Sequence, residues 1–95
     1  MQTNFASRYT RIAAGQTDSA IVSRETVRVH GIVIVSSAVA SVTILEGDGT
    51  TVITTMNVLA NTTFELKTGF IAHRGLSVTT DANASCTVFH SHGSA

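Results

Sequence analysis

The sequence predicts an all-β domain, a single antiparallel β-sandwich of jelly-roll-like form with seven or eight short strands. Three observations predict it. From about residue 19 onward, apolar residues alternate with period two over most of the chain, as they do in strands with one buried face. Turn-forming clusters separate those runs at roughly 8 to 12 residues, the spacing of sandwiches and small barrels. Threonine and valine are abundant, whereas lysine, glutamate and glutamine are scarce, a bias toward strands over helices.

Residues 1–17 are polar and weakly patterned, with Phe5 and Tyr9 set among Arg8 and Arg11. They read as an N-terminal arm, either a frayed terminus or a segment that crosses to a neighbouring subunit. The sandwich is expected over 18–92 and a short tail over 93–95. AIVS (20–23) is a short strand and TVRVHGIVIVSS (26–37) a long one. In the long run Val27, Val29, Val33 and Val35 fall on one face, and Arg28, His30, Ile32 and Ile34 on the other. That second face turns from polar to apolar at Gly31, where a bulge or bend is expected. SVTILE (41–46) and TVITTMNVL (51–59) flank a Gly-rich turn. TFELKT (63–68), GLSVTT (75–80) and SCTVFH (85–90) follow, separated by Asn61, Gly69 and Asp81-Ala82-Asn83. No segment keeps a helical period beyond two turns. The chain has no proline, so none of its strand edges is blunted by one, and pairing across subunits is expected to cover them.

Composition narrows the function. Formal net charge is zero and charged residues are 13%, about half the usual share. With no basic footprint, neither a nucleic acid nor an anionic membrane surface is an expected partner. No apolar run is long enough to span a bilayer as a helix, and the opening residues lack the apolar stretch of a secretory signal. Mean hydropathy is +0.28 and aromatics are 5%. The core must therefore be aliphatic, and some aliphatic surface is expected to lie against a partner, making the chain a homo-oligomer or docked subunit. The single cysteine, Cys86, excludes an intramolecular disulfide.

Each chemistry-bearing stretch has a structural counterpart. Gly47, Asp48 and Gly49, before Thr50, supply what a tight turn with positive φ needs. A calcium loop would need carboxylates or amides at alternating positions and a closing glutamate. A phosphate loop would need a Gly-Lys-Ser/Thr ending and a following helix. Neither is present, so the turn reads as structural. Cys86, His90 and His92 share strand parity and are all zinc-ligand types. They make an incomplete set, since a closed site needs four ligands and His30 and His73 lie on other segments. Histidines at a surface or interface are the preferred reading, and no cofactor is expected. As a nucleophile pair, Cys86 and His90 stand four residues apart, about 13 Å along a strand, beyond hydrogen-bond reach. The six acids are scattered singly, unlike the paired carboxylates of glycoside chemistry, and sugar-stacking aromatics are few. The corner Phe70-Ile71-Ala72-His73-Arg74-Gly75 reads either as a plug for the sandwich end or as a contact loop. In the second case Phe70 is the anchor and Arg74 the polar rim, with Ile71 and His73 also in the interface.

The order GIVIVSS, SVTILEGDGTTVITT, TFELKTGFIAHRGLSVTT, NASCTVFH resembles small β-sandwich virion proteins of tailed bacteriophages, of the kind seen in marine and cyanobacterial phages. The matching elements are Gly31 to Val35, Asp48-Gly49, Leu66 to Phe70, Gly75 to Val78 and Ala84 to His90, within about residues 20 to 92. The chain departs from the pattern where His90 and His92 replace the tyrosines that usually end the last strand. The resemblance implies a non-enzymatic structural role, foremost as a capsid decoration or cement protein that docks on the major capsid protein. It also implies a place on the capsid surface after synthesis in the host cytoplasm, and a homo-oligomer, a trimer by analogy with decoration proteins. Two alternatives stand beside it: a neck, tail or head-fibre component, and a surface module that grips a host glycan or receptor through His73, Arg74 and Asp81. A small metal-dependent enzyme built on Cys86, His90 and His92 is the third reading.

Overall fold

The wrapping of one long hairpin organises the chain. A computed structural model describes residues 8–67 and 69–92. The tail expected over 93–95 and the first seven residues of the expected arm lie outside them. Nine strands form among the described residues: β1 (Arg8–Ile12), β2 (Ala20–Ser23), β3 (Val27–Ser36), β4 (Ala40–Leu45), β5 (Val52–Val58), β6 (Thr62–Leu66), β7 (Phe70–Ala72), β8 (Leu76–Thr80) and β9 (Ala84–His92). Antiparallel pairs join β1 to β9, β2 to β8, β3 to β6 and β7, and β4 to β5. These are the rungs of a hairpin whose tip is the β4–β5 turn. Wrapping it lays β9 against β3 and β8 against β4. Two antiparallel sheets result, sheet A in the order β1-β9-β3-β6 with β7 also on β3, and sheet B in the order β2-β8-β4-β5. This is the jelly-roll arrangement of a β-sandwich, as the alternation and turn spacing predict.

Nine strands exceed the expected seven or eight, and two of them, β1 and β7, lie outside the seven runs read from sequence, as short elements that alternation does not reveal. β1 lies inside the segment expected to be an arm. Ile12, 2% exposed, is its one core residue, and pairing to β9 rather than apolar periodicity makes it a strand. β7 lies inside the stretch expected to be a corner. It continues the flank of β3 beyond Gly69, so β6 covers Ile32–Ser36 and β7 covers Val27–Val29.

The break between β6 and β7 faces a break in β3. The register of β3 against β9 shifts between Val29 and Gly31, a bulge where one was expected. Its consequence differs from simple alternation. The extra residue flips the parity of everything downstream, because strand side chains alternate with period two. Val27 and Val29 face the core before the bulge, and Ile32 and Ile34 after it, each at most 2% exposed. Val33 and Val35, expected beside Val27 and Val29, turn outward; Val35 is 51% exposed. Glycine suits both sides of this bend. A Cβ on Gly69 would lie 2.8 Å from the Val29 carbonyl oxygen, and one on Gly31 would lie 3.2 Å from that of Leu66.

The core is aliphatic, with Val42 and Ile44 from β4, Leu76 and Val78 from β8, and Ala84, Cys86 and Val88 from β9 joining the β3 residues. Among the described residues, three buried polar side chains tie loops to strands. Ser36 donates to the Leu59 carbonyl, Ser77 to that of Glu46 and Thr80 to that of Ala13. The parity flip gives a direct test: Ile34→Ala should cost about 3 kcal/mol as a cavity in the core, and Val35→Ala no more than about 0.5 kcal/mol. Urea melts showing the reverse order would place the bulge elsewhere.

Candidate functional site

The bend in sheet A creates a concavity. A cleft of about 510 Å³ opens there, lined by Arg28, Val29, His30, Gly69, Phe70, Ile71 and His73. A second cleft, of about 260 Å³, is lined by Glu46, Ile53 and residues Phe70 to Gly75. Phe70, Ile71 and His73 line both, so β7 and the turn after it form the ridge between them.

Strand register explains what each side chain does. Ile71 pairs with Arg28, so the two stand side by side on the outward face of sheet A. Phe70 is half-buried and packs on the core. Ala72 is buried. The ridge is held firmly. The Thr26 hydroxyl donates to the His73 carbonyl at 2.9 Å, and the Gly47 amide donates to the Arg74 carbonyl at 3.1 Å. Gly75 adopts φ +88°, and a Cβ there would sit 2.5 Å from the Ser23 carbonyl oxygen. Only glycine meets both demands. The His30 imidazole is hydrogen-bonded through Nε2 to Ser91 Oγ at 2.8 Å.

The two clefts differ in chemistry. Arg28, His30 and His73 line the first, and no carboxylate does. The second is lined by polar Glu46, His73 and Arg74 together with apolar Ile53, Phe70 and Ile71. Ile53 and Ile71 are 42% and 38% exposed.

Phe70, Ile71, His73 and Arg74, singled out from sequence as one contact loop, are thus brought together. Arg8, Tyr9 and Arg11 are not part of this group, since β1 lies at the far edge of sheet A. Tyr9 packs against Phe89 in a tilted ring pair, with centroids 6.2 Å apart and planes at 51°. Arg8 lines a small hollow with Val22, Ser23, Val27, His90 and Ser91. Phe5 lies outside the described residues. Asp81 is separated from His73 and Arg74 by the length of β8. It is engaged in scaffolding, accepting from the Ser41 amide and the Asn83 amide, each at 2.8 Å. Arg28, His30, Glu46 and Ile53 are site residues that the contact-loop reading missed. Arg28 and His30 could be placed on one strand face from sequence, but the meeting of these residues with β7 could not.

The Gly47-Asp48-Gly49 turn closes on itself. Asp48 Oδ1 accepts the Thr50 and Thr51 amides at 2.8 and 2.9 Å, and Oδ2 accepts the Thr51 hydroxyl at 2.7 Å. These bonds, the Thr51 amide first, hold its carboxyl well below the usual carboxylate range. Gly49 has φ +76°. A Cβ on Gly47 would lie 2.8 Å from the Arg74 carbonyl oxygen, so the turn also buttresses the ridge.

Cys86 points into the core, and burial pushes its thiol up to about 12. His90 shares its strand parity but sits at the rim, where its Nε2 is hydrogen-bonded to Thr10 Oγ1 at 2.9 Å. The side chain of His92 lies outside the described residues. Among the described residues, no three His, Cys, Asp or Glu side chains come together as a metal site would require. Compared with known protein families, curated proteins and solved structures, the chain matches none.

Two outcomes test this local chemistry. Folding lowers the Asp48 pKa, so its contribution is complete above the ordinary carboxylate value of about 4 and fades as the pH falls below it. Asp48→Asn should destabilise the protein at neutral pH, with the difference from wild type shrinking in acid; a pH-independent difference in urea melts would rule out the charged carboxylate as the cause. Cys86 should resist thiol reagents in the native state and react fully once unfolded, as followed by mass spectrometry.

Proposed function

We propose that the chain is a non-enzymatic structural subunit of a virion, a decoration or cement protein that docks on the major capsid protein at the particle surface. The observation that carries this reading is the second cleft. Its apolar centre (Ile53, Phe70 and Ile71) and polar rim (Glu46, His73 and Arg74) have the anatomy of a protein-docking patch. The ridge is pre-shaped by the bonds at His73 and Arg74, so little ordering entropy is lost on contact. Tyr9 and Phe89, 69% and 39% exposed, add a second apolar surface on the same sheet. The mechanism is physical: each copy covers on the order of 800 Å² of the shell, and repetition over many copies multiplies modest contacts. The likeness of the strand order and turns to small phage virion proteins supports the same role.

A second reading rests on the first cleft. Arg28, His30 and His73, with no lining carboxylate, would suit a carboxylated or sulfated host glycan at the particle surface. An array on which acidic glycans bind and neutral ones do not would favour it.

Cosedimentation with shells of the major capsid protein separates the two. Ile71→Asp should lower shell occupancy about ten-fold or more by placing a charge at the patch centre, with thermal stability unchanged because Ile71 is exposed. Unaltered occupancy would remove the ridge from the interface.

A further inference from the structure

We infer that β5 is a self-pairing edge through which two copies of this chain join about a two-fold axis, sheet B running from one copy into the other. The inference goes beyond the particle reading and stands without it.

The sandwich has four edges, formed by β1 and by β6 with β7 in sheet A, and by β2 and β5 in sheet B. Natural sheets protect such edges with charge, brevity, bulges or proline, because an open edge is a template for pairing. Three of the four are protected. β1, RYTRI, carries two arginines. β6, TTFEL, carries Glu65, with Lys67 just beyond it, and the edge is interrupted before the three residues of β7. β2 has four residues and a register shift between Ile21 and Ser23.

β5 is different. It is seven residues long, VITTMNV, with no ionisable side chain, glycine or proline, and exposed over most of its length. Its own irregularity is confined to the start, opposite Ile44 and Leu45. Thr54 to Val58 run in unbroken register with Ile44 to Ala40. Among the described residues nothing pairs with its outer side. Exposed apolar residues mark its two ends, its own Val52 and Ile53 at one, and Leu59 and Val39, 72% and 70% exposed, beside the other.

Neutrality identifies the occupant. A two-fold axis sets every side chain against its own strand, so a charged edge would bring like charges face to face. β5 avoids this. An antiparallel pair centred on Thr55 places Thr55 against itself and Thr54 against Met56. A charged partner strand would find no complement along β5. The isologous contact uses up the open edge of both copies, and the protected edges stop growth there. The axis is therefore two-fold, where the phage resemblance suggested three.

Sedimentation equilibrium, from micromolar to near-millimolar protein, tests this. Wild type should be a dimer. Thr55→Lys should weaken it by at least about ten-fold with an unchanged circular dichroism spectrum, whereas Thr63→Lys on β6 should not. Asn57→Lys, also exposed on β5, serves if Thr55→Lys fails to fold. Exchange of the Thr54–Val58 amides should slow as concentration rises. A wild-type monomer throughout, a trimer, or a dimer indifferent to both β5 lysines would overturn the inference. Because Ile71 and Thr55 are separate, loss of shell binding and loss of the dimer remain distinguishable.

Discussion

The bulge in β3 at His30–Gly31 is the constraint on which the rest of the molecule depends. β3 lies at the centre of sheet A and touches β9, β6 and β7. One inserted residue exchanges its faces, so Val27 and Val29 fill the core on one side of the bulge and Ile32 and Ile34 on the other. On one flank β9 runs unbroken past the bulge, while the other flank divides at Gly69 into β6 and β7. The cleft opens at that bend. Core packing and the shape of the surface are thus two results of one local irregularity.

The ridge beside the cleft owes its rigidity to turns rather than to burial. The Gly47-Asp48-Gly49 turn spends its carboxylate on its own amides, then presses against Arg74, while Gly75 lets the chain pass close to Ser23. This coupling gives a structural role to the stretch most suggestive of ligand binding. The same economy applies to Asp81 and to the buried hydroxyls of Ser36, Ser77 and Thr80, which hold loops in place.

A small core and few charges leave aliphatic side chains at the surface, and their distribution is uneven. Ile53 and Ile71 gather around the ridge; Val39, Val52 and Leu59 gather around β5. The first group sits in a concave, rimmed patch suited to a different protein. The second borders open backbone suited to another strand. On the readings proposed above, a subunit with both would make two kinds of contact, one to itself and one to its support.

The fold class was legible in the sequence because strand alternation and turn chemistry are local. Valine and isoleucine at period two, Gly47-Asp48-Gly49 between apolar runs, and Gly31 at a change of pattern each report on a few neighbours. The site was half legible: Phe70 to Arg74 are contiguous, so their grouping needed no long-range information. Tertiary structure alone decided the rest. It made strands of Arg8–Ile12 and Phe70–Ala72, whose hydrogen bonds come from β9 and β3 rather than from any pattern of their own. It turned Val35 outward and Ile34 inward, since a bulge is counted against a partner strand. It brought Arg28, His30 and Ile53 to the ridge and left β5 at an edge, because neighbours across a sheet are chosen by how the whole hairpin wraps.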